Sequence, residues 1–222
     1  MKNIVYIIGF AIALTFSSCS TETSFYDTLD AGQADQLFNG SQADIIDYIG
    51  QNAYDELKQV LNFPINTGNT PPIINGNYLM NEIGEYNFNT SEFEGPFGYY
   101  VEYLMNSQDN DSLTINYTGR FMNYGLDGVP FTSDDELNVQ ETGIGRSFVS
   151  GNSATGDFTV IVRTQVTIDR VDVIALSGRL SASGNVENME YGYVYFDNGD
   201  PDTGTIEGSA RLIDWDGISE QF

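Results

Sequence analysis

Histidine is absent from this 222-residue chain, and cysteine occurs once. The first absence excludes Ser-His-Asp and Cys-His catalysis and any histidine-ligated metal. The second excludes an internal disulfide, so stability must come from packing. Basic residues are scarce. Eight Lys and Arg stand against 32 Asp and Glu, for a formal net charge of −24. Such a chain repels phosphate backbones, which argues against a nucleic-acid partner. Carboxylates are so numerous that finding a pair of them carries no signal. No catalytic constellation stands out, and a non-enzymatic role is expected. Long apolar runs are missing too, apart from residues 4–16, which are too few to span a membrane as a helix.

That run follows Lys2 and reads as the core of a signal peptide over residues 1–18. Phe16-Ser17-Ser18-Cys19 closes it. Small residues before a lone cysteine resemble the lipobox of bacterial lipoproteins, with Phe16 where leucine is usual. The resemblance implies a lipidated Cys19, with acyl chains such as palmitate holding the protein to a membrane without crossing it. Ser20, not aspartate, follows Cys19, which points to the outer membrane, on its periplasmic or its outer side. Residues 19–40 then read as a polar tether and residues 41–222 as a single domain.

Within the domain, residues 41–61 carry the helical signal. Ser41 is a capping residue and Asp44 stands in the first turn. Ile45, Ile46, Ile49, Ala53, Leu57, Val60 and Leu61 recur at helical spacing. Eight strands follow, at 76–88, 97–106, 112–124, 136–150, 157–167, 172–183, 186–197 and 204–216. Turn residues separate them, and no connection is long enough for a crossover helix, so neighbours pair antiparallel. The clearest hairpin is 157–181. Val160, Val162, Val166, Ile174, Leu176 and Leu180 form its apolar face, and Arg163 and Arg179 lie on the other. A three-residue turn at Asp169-Arg170-Val171 would oppose Val166 to Ile174 and Val160 to Leu180, burying like with like. Strands of this length suit a barrel wall better than a sandwich. The expected fold is mainly β: an eight-stranded antiparallel up-and-down barrel with one N-terminal α-helix packed on the wall or closing a mouth.

Gly76-Asn77-Tyr78 on the first strand and Arg211 on the last resemble the Gly-x-Trp and arginine of lipocalin-like (calycin) barrels, with Tyr78 in place of tryptophan. The one tryptophan, Trp215, sits on the last strand instead. The resemblance implies a small hydrophobic or amphipathic ligand in the barrel. Two arginines share a face with apolar residues: Arg146 with Ile144 and Phe148, and Arg211 with Ile213 and Trp215. Facing inward, either could clamp a ligand carboxylate. Two alternatives stay open. Arg211 would close the barrel over Tyr78 through a cation–π contact, and a bulge at Gly143 and Gly145 would turn Arg146 outward. With Tyr117, these residues are the candidate ligand contacts. A second candidate is Ca²⁺ on Asp127, Asp134, Asp135 and Glu136, set around a Gly-Val-Pro turn; the acidic turn 197–202 offers similar oxygens. Solvated hairpin ends, where turn geometry favours Asp, Asn and Gly, are the plainer reading of both loops.

Overall fold

A computed structural model describes residues 38–222, except 82, 88–91, 168–169, 198–200, 202–203 and 215–216. The expected signal peptide, Cys19, most of the expected tether, Trp215 and the centre of the acidic turn 197–202 lie outside the described residues, as does the side chain of Val166.

The helical signal at 41–61 yields three short pieces instead of one helix. Ser41 and Asp44 form a reciprocal capping box at the head of α1, Gln42–Ile49. The helix stops at Gly50, whose φ of 83° and ψ of 153° are open to glycine but strained for other residues. A side chain there would also meet the backbone of Pro201. The chain resumes as α2, Gln51–Asp55, and continues into a π-helical turn, Glu56–Val60. The breaks re-aim the apolar stripe. Ile45, Ile49, Ala53, Leu57 and Leu61 are fully buried, while Val60 is half exposed.

Thirteen strand segments follow: β1 Asn69–Thr70, β2 Gly76–Met80, β3 Ile83–Asn87, β4 Glu92–Glu94, β5 Tyr99–Asp109, β6 Thr114–Asn123, β7 Glu136–Gly143, β8 Ser147–Asn152, β9 Asp157–Thr167, β10 Arg170–Leu180, β11 Val186–Phe196, β12 Ile206–Asp214 and β13 Ile218–Gln221. Eleven of them, all but β1 and β4, occupy eight positions in the wall, because three positions are interrupted and shared by β2 and β3, β7 and β8, and β12 and β13. Each position pairs antiparallel with the next. The last then pairs with the first, Leu212 opposite Glu85 and Glu220 opposite Leu79, which closes an eight-stranded antiparallel barrel. β1 pairs parallel to β8 and β4 extends the edge at β3; neither is among the expected strands.

The hairpin of β9 and β10 keeps the expected faces but not the expected register. Ile174 opposes Val162, Leu176 opposes Val160, and Thr167 pairs with Arg170 at the head. The pairing has slipped by four residues from the one that a three-residue turn gives. An even slip preserves the pleat, so apolar still meets apolar. Val160, Val162, Ile174 and Leu176 are fully buried in the lumen-side core, beside Tyr78, Tyr103, Tyr117 and Tyr191.

A second core lies outside the wall. Phe148, Ile161, Val173, Ala175, Val194 and Phe196 face away from the lumen and pack against Phe38, Ile45, Tyr48, Ile49, Leu57 and Leu61. The helical pieces therefore cover the wall at β8 to β11 and do not close a mouth. Gly192 makes the approach possible, since a Cβ there would stand 2.9 Å from Leu57 and 3.0 Å from Phe63. Arg163 points outward as expected, yet it is buried beneath the helix and donates to the Tyr48 carbonyl at 3.2 Å.

Candidate functional site

Tyrosine and methionine side chains fill much of the lumen, but one end of the barrel stays open. A cavity of about 340 Å³ lies there, lined by Glu85, Tyr99, Phe121, Val139, Glu141, Tyr191, Tyr193, Ala210 and Leu212. They come from β3, β5, β6, β7, β11 and β12, and lie toward the end of the barrel at which Tyr99 starts β5. Period-two alternation alone brings them to one lumen face.

Glu141 is the unusual member. It is the one buried residue of β7. Tyr191 donates to its Oε1 at 2.9 Å and Tyr117 to its Oε2 at 3.3 Å. Directly across the sheet is Gly119. A Cβ on Gly119 would sit 2.3 Å from the Tyr117 hydroxyl and 3.3 Å from Glu141, so glycine makes room for the pair. Burial pushes the Glu141 carboxyl up to about 7; the two phenols pull it down, and the charge of Asp172 adds to the rise. Asp172 is itself fully buried and accepts from the Tyr193 hydroxyl. Aromatic rings continue around the cup. Phe121 meets Tyr191 edge-on at 5.5 Å, and Tyr191 stacks with Tyr193 at 6.3 Å.

Of the residues expected at a ligand site, the lumen receives two. Tyr117 holds Glu141, and Tyr78 is buried in the filled part of the lumen. The other described ones lie outside the barrel. Phe148 belongs to the helix-facing core. Arg146 falls in the interruption between β7 and β8, next to Gly145 with its φ of 63°, and is thereby turned outward. There it donates to the Ser107 carbonyl and lies 3.8 Å from Asp109. Arg211 also points outward. It donates to Glu190 at 2.6 Å and to the Leu61 and Asn62 carbonyls at the end of the helical segment, under the rings of Tyr86 and Phe93. The orphan carbonyls of a helix C-terminus and a carboxylate satisfy this cation better than an apolar lumen can. The expected contact of Arg211 with Tyr78 is replaced by those with Tyr86 and Phe93.

At the proposed calcium loop, Asp127, Asp134 and Asp135 each bring an oxygen within 4.8 Å of the others. Glu136 is not among them; it starts β7 opposite Asn123. The three carboxylates already accept internal bonds. Asp135 takes the Gly125 and Thr132 amides and the Tyr100 hydroxyl. Asp134 takes the Leu126 amide and the Thr132 hydroxyl, which hold its carboxyl below the usual range. Asp127 takes the Val129 amide. The cluster thus works as the internal bracing of the 124–135 loop.

Sequence reasoning did not single out Glu141, Glu85 or Asp172. The one available signal was Gly119 between Tyr117 and Phe121: a missing side chain in a strand interior marks a close approach. Comparison of the chain with protein-family models, with curated proteins and with solved structures finds no match to any of them.

Proposed function

We propose that this protein is a lipid-anchored component of the cell envelope that binds a small amphipathic molecule in an up-and-down, lipocalin-like barrel. The observation that carries the reading is the cavity of about 340 Å³ toward one end of the barrel. Its size, aromatic walls and few convergent polar groups are those of a small-ligand site. Native mass spectrometry of the protein purified from its own envelope is expected to show a retained small molecule. The neutral fluorophore N-phenyl-1-naphthylamine is expected to enter the emptied cavity and brighten. An empty mass spectrum, together with exclusion of this fluorophore and of charged and neutral one-ring probes, would overturn the reading.

The anchor rests on the lipobox-like residues and is tested separately. Cys19→Ala is expected to move the protein from the membrane fraction to the soluble one, and unchanged partitioning refutes lipidation. A second reading, an interaction module for a protein or glycan partner, is favoured by the 124–135 loop. Leu126 there is fully exposed, and Val129 and Phe131 are half exposed. A protein partner retained in the same mass spectra, with no small molecule, would favour it.

A further inference from the structure

We propose that the occupant of the cavity is a cation: an amine or quaternary ammonium on a small apolar body, received by Glu141 at depth and Glu85 at the rim. This rests on the reading of the cavity as a small-molecule site and gives that site its ligand class.

The charges around the lumen carry the argument. Glu141 lies in the cavity wall with both oxygens held by phenols that donate to it. Glu85 faces the lumen opposite Leu212. Asp172 stands behind Tyr193. Among the described residues no lysine or arginine lines the cavity. Arg120, Arg146, Arg163, Arg179 and Arg211 all engage groups on the outer face. An anionic amphiphile would meet carboxylates and no counter-ion. A neutral one would complete the desolvation of Glu141 and give nothing back. A cation does the reverse: it offsets the burial of the carboxylate and finds aromatic faces in Tyr99, Phe121, Tyr191 and Tyr193. The field of a chain with net charge −24 steers a cation towards the mouth as well.

The groups facing Glu141 are few. They are Tyr117 from β6, Tyr191 and Tyr193 from β11, Asp172 from β10, Glu85 from β3, and Tyr99 and Tyr103 from β5. Val162 of β9 and Ala210 and Leu212 of β12 are uncharged, and the buried Asp214 of β12 stands on the far side of Tyr103, whose phenol its charge helps raise. Burial, together with the Glu141 charge, pushes the phenols of Tyr103, Tyr117 and Tyr191 well above their ordinary range. These phenols therefore keep their protons near neutrality, where the Glu141 carboxyl changes charge. Binding a cation draws it to the ionised form, and its proton leaves to solvent.

Three soluble probes with one ring and similar length separate the possibilities: phenethylammonium, 2-phenylethanol and phenylacetate, measured on the full chain by saturation-transfer NMR and calorimetry. At pH 7.5 the ammonium is expected to bind about tenfold or more tighter than the alcohol, and phenylacetate weakest. Glu141→Gln is expected to bring the ammonium to within about threefold of the alcohol, whose own binding holds or tightens once the charge it would desolvate is gone. Glu85→Gln, at the exposed rim, is expected to weaken the ammonium by about threefold without risk to the fold. At pH 6.5, calorimetry in two buffers of different ionisation enthalpy should register proton release with the ammonium in the wild type and none in Glu141→Gln. An alcohol or phenylacetate that matches the ammonium overturns the cation while leaving a ligand cavity in place. Exclusion of all three, and of the neutral fluorophore, overturns both readings.

Discussion

Alanine at Phe148 is expected to lower the free energy of unfolding by about 3–5 kcal/mol and to leave uptake of a neutral probe unchanged in the folded fraction. Phe148 has no exposed surface, meets the Phe38 ring edge-on at 4.6 Å, and sits in the layer between the barrel wall and the helical segment. That layer has little slack. Leu57 and Phe63 already approach the Gly192 backbone as closely as a missing side chain permits, so neighbours cannot collapse into the space a lost ring leaves. Denaturant unfolding gives the size of the effect. Hydrogen exchange gives its place: amides of Gln42–Ile49 and Gln51–Asp55 should exchange faster in the variant, while those of β5 and β6 should change least. A loss below about 1 kcal/mol would show that the helical cover contributes little. Loss of probe binding with stability intact would put Phe148 back in the lumen.

Phe148 also shows where the sequence could be read and where it could not. Strand positions were legible because alternation and turn chemistry are local. The faces of β9 and β10 were legible for the same reason, and they survived a four-residue error in register since the pleat repeats every two residues. Which face is the inside was harder. The outer wall at β8 to β11 is as apolar as the lumen because a helix covers it, so Phe148, Ile161 and Val173 look like lumen residues in one dimension. The arginines were misplaced by the same ambiguity. The partners that hold Arg211, the Leu61 and Asn62 carbonyls, lie about 150 positions away in the chain and exist only once the helical segment has docked. The centre of the site was the least legible. β7 is polar along nearly its whole length, and its one buried residue is a glutamate. A hydrophobicity pattern passes over such a position. Only the register that sets Gly119 across from Glu141, with Tyr117 and Tyr191 above and below, gives that carboxylate a place.

The same glutamate is expected to make the protein less stable as pH rises from about 4.5 to 7. Its folded-state carboxyl is raised from 4.5 to about 7 by burial, so the folded chain holds a proton that the unfolded chain releases over that window. Below 4.5 both states are protonated and the group adds no penalty. Through the window stability falls, and above 7 the full penalty is present, about 3 kcal/mol for a shift of this size. Other acids work in a different window. Asp44 and Asp157 are lowered from 3.8, so their stabilisation is present at neutral pH and lost only in more acid solution. Repulsion across an acidic surface also grows with pH, and subtracting the wild-type curve from that of Glu141→Gln largely cancels it. The amide keeps an acceptor for one tyrosine and offers a donor to the other, whose hydroxyl accepts as readily as it donates. The variant should therefore match the wild type near pH 4.5, pull ahead through pH 7, and level off with an advantage of about 2–3 kcal/mol. Urea unfolding at half-unit steps from pH 4 to 9 measures the difference. A gap that stays flat would mean that water reaches the carboxylate, and a gap of opposite sign would mean that the two phenols hold the charge better than burial opposes it. A bound ammonium probe should close the gap from the other side, stabilising the wild type above pH 7 and doing little for the glutamine variant.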